Sequence, residues 1–224
     1  MTDVVILGAG GCAREIYLVF LDDNANARTW NVLGFVDDKP ELQGSVLCDL
    51  PVLGGFNWLE QNQHKRLEVI VGVGNPHARK ALSERAAALH LKFCTVIHPS
   101  VRMSRWVDVG PGTIITAGNV LTTQVKLAGH TLVNLDCTIS HDTSIGAYCN
   151  INPGCHISGS VQLGQGVDFG TGATIIQGKV VGNWSVIGAG SVVVTDIPSY
   201  VTAVGVPCRV IKEHSPPPSH AANL

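Results

Sequence analysis

Charge is scarce in this chain. Only 14% of its 224 residues are Asp, Glu, Lys or Arg, and 15 basic residues stand against 17 acidic ones. With no basic excess there is nothing to neutralise the phosphates of a nucleic acid, which sets that class of partner aside. No run of eighteen apolar residues occurs, and the N-terminal MTDVVILGAGG is too short and glycine-rich for a signal-peptide core, so neither membrane insertion nor secretion is expected. The seven cysteines (Cys12, Cys48, Cys94, Cys137, Cys149, Cys155 and Cys208) are odd in number, scattered and without a C-x-x-C pair. They signal neither a disulfide framework nor a zinc site, and a reducing cytoplasm fits them best. Aromatic residues are few, at 5%, whereas glycine is plentiful at 25 residues, a balance that suits many short strands and turns.

The first ninety or so residues alternate strand and helix signals. Apolar runs at Val4 to Leu7, Val32 to Val36 and Val69 to Val73 are interleaved with helical patterns at Arg14 to Leu21 and His77 to Leu89. This alternation predicts a parallel sheet with helices packed on it, an α/β, Rossmann-like domain over residues 1–94. Gly8, Gly10 and Gly11 lie between the first strand and the first helix, where backbone N–H groups can cradle a diphosphate. On that motif alone, NAD binding is the obvious reading. The acidic pair Asp37 and Asp38 lies further on than the NAD pattern requires, and no oxidoreductase domain follows.

From Ile97 the period changes. Stepping by six gives Met103, Val109, Ile115, Leu121, Leu127, Val133, Ile139, Ile145, Ile151, Ile157, Leu163, Phe169, Ile175, Val181, Ile187 and Val193, all apolar. Seventeen independent positions would do so roughly once in a million trials at this composition, so the chain carries hexapeptide repeats of the parallel β-helix kind. Residues 95–198 are expected to form that β-helix, in five to six coils of three hexads. Small or branched residues four places after each apolar position fill the coil; Asn119 and Lys179 break that rule and are read as outward bulges. Glycines directly after the apolar residue, such as Gly110, Gly146 and Gly170, are read as turns of positive φ. Residues 199–224 form a C-terminal segment whose end, SPPPSHAANL, reads as disordered or loosely docked.

The ordered set VVILGAGGCARE, GFVDD, VGVGNP, IHPSV, SHDTSIG, IGAGSVV and GVPCRVI resembles the bacterial nucleotide-sugar acetyltransferases of the sialic-acid and bacillosamine type, most closely the GDP-perosamine N-acetyltransferases. The resemblance implies a left-handed β-helix, a homotrimer, acetyl-CoA bound between neighbouring β-helices without a metal, and a place in O-antigen or lipopolysaccharide biosynthesis. It implies His141 as general base and Asp142 as its acidic neighbour. Asn150 stands where the family often has a histidine near the acetyl carbonyl, and Gly159, Thr171 and Ala189 match positions along the coenzyme channel. Gly10, Gly11, Cys12, Asp37, Asp38 and Gly74 match the nucleotide-sugar site, with Cys12 where relatives commonly have histidine. The chemistry agrees: a protonated amine cannot attack a thioester, and an imidazole can take the proton near neutral pH. UDP-linked 4-amino sugars and O-acetylation of sialic acid are the alternative substrates. A metal hydratase using His130 and His156, and a non-catalytic scaffold, are the alternative classes.

Overall fold

The computed structural model describes residues 1–27, 29–62 and 66–215. Six strands, β1 (Thr2–Leu7), β2 (Trp30–Val36), β3 (Val46–Leu47), β4 (Leu50–Gly54), β5 (Leu67–Val71) and β6 (Lys92–Phe93), form one sheet in the order β3-β4-β2-β1-β5-β6. All neighbours are parallel except β3 and β4. The continuous apolar runs follow from burial on both faces of the sheet, Val4, Val5 and Ile6 being wholly inaccessible. Helix α1 (Gly11–Ala27) covers one face, and α3 (Pro76–Ala88), capped by the Asn75 side chain on the Ala78 N–H, leads back towards β6. Helix α3 begins within one residue of its predicted start at His77, whereas α1 begins at Gly11, three residues before the helical pattern at Arg14 to Leu21, and runs on to Ala27. The β3–β4 hairpin and the short helix α2 (Asn57–Gln61) gave no sequence signal.

Beyond Thr95 the chain winds into a left-handed β-helix with three faces. On the first, Ile114 pairs with Leu132, Leu132 with Asn150 and Asn150 with Asp168, each one coil and eighteen residues on. The second face carries Thr138–Ile139 and His156–Ile157, the third Ser144–Ile145 and Gln162–Leu163. In every two-residue strand the second residue points inward, and from Ile115 to Val193 these residues form one continuous core. Each such burial stabilises by roughly 1.5–3 kcal/mol. The repeat is open at its start: Met103, in the first coil, is 40% exposed. The sheet also runs past Pro198, since Val201–Val204 extends the first face and Arg209–Glu213 closes it antiparallel. Residues 216–224, most of the proline-rich tail, lie outside the described residues.

Two sequence readings of the repeats are corrected. Positive φ falls three residues after the inward apolar position, at Gly118, Gln124, His130, Asp136, Asp142 and Tyr148, and not at the glycine directly after it. Gly110, Gly146 and Gly170 are glycine because the next coil crosses them: a Cβ would lie 2.5–2.6 Å from backbone atoms of Gly129, Gln165 and Ile187. Asn119 does not bulge outward. It is wholly buried, its amide donating to Thr116 O and its carbonyl accepting from Cys137 N, so both polar atoms are satisfied inside the coil.

Candidate functional site

The first domain lies on the first face of the β-helix. Val96, Ile114 and Leu132 point outward from that face and join the core of Val4, Ile16, Val19 and Phe20. At one margin of the face His98 Nε2 meets Asp22 Oδ2 at 3.0 Å. At the other, α3 docks through His77, stacked on Trp184 with centroids 4.4 Å apart, and through Arg79. The first domain thus touches the first face at both of its margins. The corner between the second and third faces, on the opposite side of the coil, carries His141.

His141 and Asp142 occupy the turn between Thr138–Ile139 and Ser144–Ile145. Asp142 has φ 59°, a left-handed conformation that aspartate tolerates better than most residues. Its Oδ2 is 2.8 Å from His141 Nδ1, and both side chains are more than half or about half exposed, at 59% and 50%. A carboxylate only accepts, so Nδ1 carries the hydrogen and Nε2 keeps a lone pair for a proton. Gly159, in the next coil, lies directly beneath the imidazole and is buried there. Thr171 and Ala189 are exposed on successive coils at the far margin of the second face, joined by the bond from Gly190 N to Thr171 O. The three expected coenzyme positions thus flank the second face, with Gly159 at the His141 end.

Asn150 is elsewhere. It lies on the first face, 6% exposed, and the chain does not bring it to its own His141. Its Nδ2 donates to Asn152 Oδ1 at 3.0 Å and to Asp168 Oδ1 at 3.1 Å, while its own Oδ1 has no partner. Since the Asp168 carboxylate must face an N–H, this orientation is fixed. Both side-chain N–H bonds of Asn150 are thus made within the chain.

The glycine loop of the first domain turns from β1 into α1 at Gly8, whose φ of 102° excludes most other residues. Gly72 must be glycine for a different reason: a Cβ there would lie 2.8 Å from Ala13 Cα. Gly10 and Gly74 have open space around them, and Gly11 has only the Arg14 guanidinium within 4 Å. The Ala9 N–H is already taken by Asp37 Oδ2 at 2.9 Å, so amides of the α1 first turn, which have no acceptor within the helix, remain for an anion. Asp38 accepts from Phe56 N at 2.7 Å and pairs with Arg85 at 3.1 Å, and these hold its carboxyl below the usual range. Asp37 and Asp38 line a cavity of about 160 Å³ with Gly8, Phe56, Val73 and Leu82, at the carboxyl ends of β1, β2 and β5, where ligands of such sheets bind. Cys12, at the start of α1, is pushed up to about 11 by burial and stays a thiol near neutral pH.

The two histidines of the metal reading lie apart. His130 packs between Phe93 and Tyr148 at the corner between the third and first faces; burial and the nearby Arg79 lower its pKa to about 4. His156 is on the second face, bonded to Thr138 Oγ1. Among the described residues no three His, Cys, Asp or Glu side chains form a metal-binding group, and no helix is long and apolar enough to cross a membrane. Sequence reasoning missed Arg79, which is 1% exposed and joins the two halves of the chain. Its only sequence trace is an ordinary helical arginine in the NPHAR segment.

The PglD N-terminal domain family matches residues 3–86. The acetyltransferase domain of PglB from Neisseria gonorrhoeae is 30% identical, with a TM-score of 0.86 over 94% of this chain and 100% of that one. Its complex with acetyl coenzyme A is 31% identical over 93% and 98%, with a TM-score of 0.86. PerB from Caulobacter crescentus, in complex with CoA and GDP-perosamine, is 28% identical over 95% and 98%, with a TM-score of 0.87. A variant of that perosamine N-acetyltransferase with a histidine changed to asparagine, again with CoA and GDP-perosamine, superposes with a TM-score of 0.88 at 27% identity over 95% and 98%. A comparison with curated protein sequences gives no match. With a PglD-type first domain, a left-handed β-helix and 30% identity over nearly the whole length of both chains, the protein belongs to the hexapeptide-repeat nucleotide-sugar acetyltransferases and is an acyltransferase.

Proposed function

We propose that this protein transfers the acetyl group of acetyl-CoA to the 4-amino group of a nucleotide-linked sugar, GDP-perosamine being the first choice. The observation that carries the reading is the His141–Asp142 pair, with Nδ1 held by the carboxylate and Nε2 open above Gly159. The amine nitrogen attacks the thioester carbon as its proton passes to His141 Nε2. The tetrahedral intermediate then collapses, the C–S bond breaks, and the leaving thiolate takes the proton from the imidazolium. Coenzyme runs along the second face past Gly159, Thr171 and Ala189. The nucleotide occupies the cavity at Asp37 and Asp38, with Gly10, Gly11, Cys12 and Gly74 around the phosphates and sugar.

The placement of these parts supports a homotrimer. The first domain covers the first face, whereas His141 projects from the corner opposite it, so a sugar held by one chain reaches the base of a neighbour. The bound GDP-perosamine of PerB, a protein 28% identical to this one, favours GDP over UDP. A cytoplasmic enzyme of O-antigen or lipopolysaccharide synthesis is the setting this activity implies. A panel of GDP- and UDP-linked amino sugars, assayed with acetyl-CoA by free-thiol release, tests the reading. Thiol release with GDP-perosamine ahead of all others supports it, and none with any amine refutes it.

A further inference from the structure

Arg79 lies in the first turns of α3, 1% exposed, and donates every one of its five N–H groups to main-chain carbonyls. Nε donates to His130 O at 2.9 Å, Nη1 to Val73 O at 2.8 Å and Gly74 O at 3.0 Å, and Nη2 to Tyr148 O and Cys149 O, both at 2.9 Å. Among the described residues no carboxylate pairs with it. Burial lowers its pKa to about 10, which leaves it charged at neutral pH.

The five acceptors belong to two parts of the machinery. Val73 and Gly74 form the loop after β5, and Val73 lines the cavity that holds Asp37 and Asp38. His130, Tyr148 and Cys149 belong to successive coils, the last directly before Asn150. Two neighbouring contacts hold the same helix: His77 on Trp184, and Ser83 Oγ 3.2 Å from His130 Nδ1. One side chain thus sets the height of the nucleotide-sugar loop on the β-helix.

We propose that Arg79 is a positioning residue for acetyl transfer. It places the loop that holds the nucleotide sugar against the coils that face the neighbouring base, and so determines where the acceptor amine arrives. This rests on the acetyltransferase reading above. A lysine cannot substitute, because one ammonium with three donors cannot reach five carbonyls arranged around a planar fork. A misplacement of about 1 Å at a reacting centre can cost on the order of 10²-fold in rate.

The experiment compares Arg79→Lys and His77→Ala with the unmutated protein, using acetyl-CoA and the nucleotide-linked amine it acetylates best, below the melting transition of each. Arg79→Lys should lower kcat by about 30-fold or more with both KM values within about threefold, because binding survives and alignment does not. The acid side of the pH–rate profile should not move, since the base is untouched. His77→Ala should give the same pattern at smaller size, and decides the matter if Arg79→Lys does not fold. A lower melting temperature with kcat retained makes the arginine structural only and overturns the proposal. A rise confined to KM for the nucleotide sugar overturns it too. No thiol release by the unmutated protein refutes the acetyltransferase reading and this inference together, whereas retained kcat in an active background refutes only the latter.

Discussion

The imidazole of His141 lies directly over Gly159 of the next coil, so close that a Cβ at Gly159 would fall 2.5 Å from Cε1 and 2.6 Å from Nε2. The glycine is therefore demanded by the histidine above it, whatever it also offers to coenzyme. The backbone bond from Ser160 N to His141 O, 2.8 Å, fixes the two turns in that register.

Gly159→Ala should consequently displace the ring more than it disturbs the fold. Steady-state kinetics should show kcat lowered by more than about tenfold, as expected when a proton acceptor leaves its alignment, with KM for acetyl-CoA changed little. A large rise in that KM at unchanged kcat would assign Gly159 to the coenzyme channel alone.

Asp38 is held ionised by the Phe56 N–H and by Arg85 at the mouth of the nucleotide cavity. Asp38→Ala should raise KM for the nucleotide sugar several-fold or more and leave KM for acetyl-CoA nearly unchanged, the pattern of lost ground-state binding. Equal rises in both constants would contradict the division of labour between the two halves.

His130 makes stability depend on pH. Its folded pKa of about 4 lies below its ordinary 6.5, so the folded state favours the neutral ring. The stability it contributes is complete above about 6.5 and is lost as pH falls from there towards 4, because the unfolded chain binds the proton first. The melting temperature should fall between pH 7 and pH 5, and by less in His130→Asn, asparagine being a residue that tolerates the φ of 59° at that position. An equal fall in both proteins would remove His130 as the cause.

The β-helix was legible in the sequence because its physics is periodic: each inward position is buried by identical neighbours one coil away, so the same residue type recurs every six. The α/β half was legible from apolar runs buried on both sides. What escaped was non-periodic. Arg79 reads as a surface residue of a helix, and only the assembled coils show that its donors meet carbonyls more than fifty residues away. Glycines next to the inward position looked like turn residues, but the crowding comes from the following coil, which a local reading does not contain. His141, Asp142 and the coenzyme positions were named by resemblance; that His141 and Asn150 project from different sides of the coil follows only from the winding.

The central claim is that His141 removes the proton from the attacking amine. His141→Asn keeps a hydrogen-bonding side chain of similar outline and offers no ring nitrogen to accept that proton, so folding and binding of both substrates should persist. The measurement is kcat under saturating acetyl-CoA and nucleotide-linked amine. It should fall about 10²- to 10⁴-fold, the usual contribution of general-base catalysis. Retention of more than about half the activity would contradict proton removal by His141.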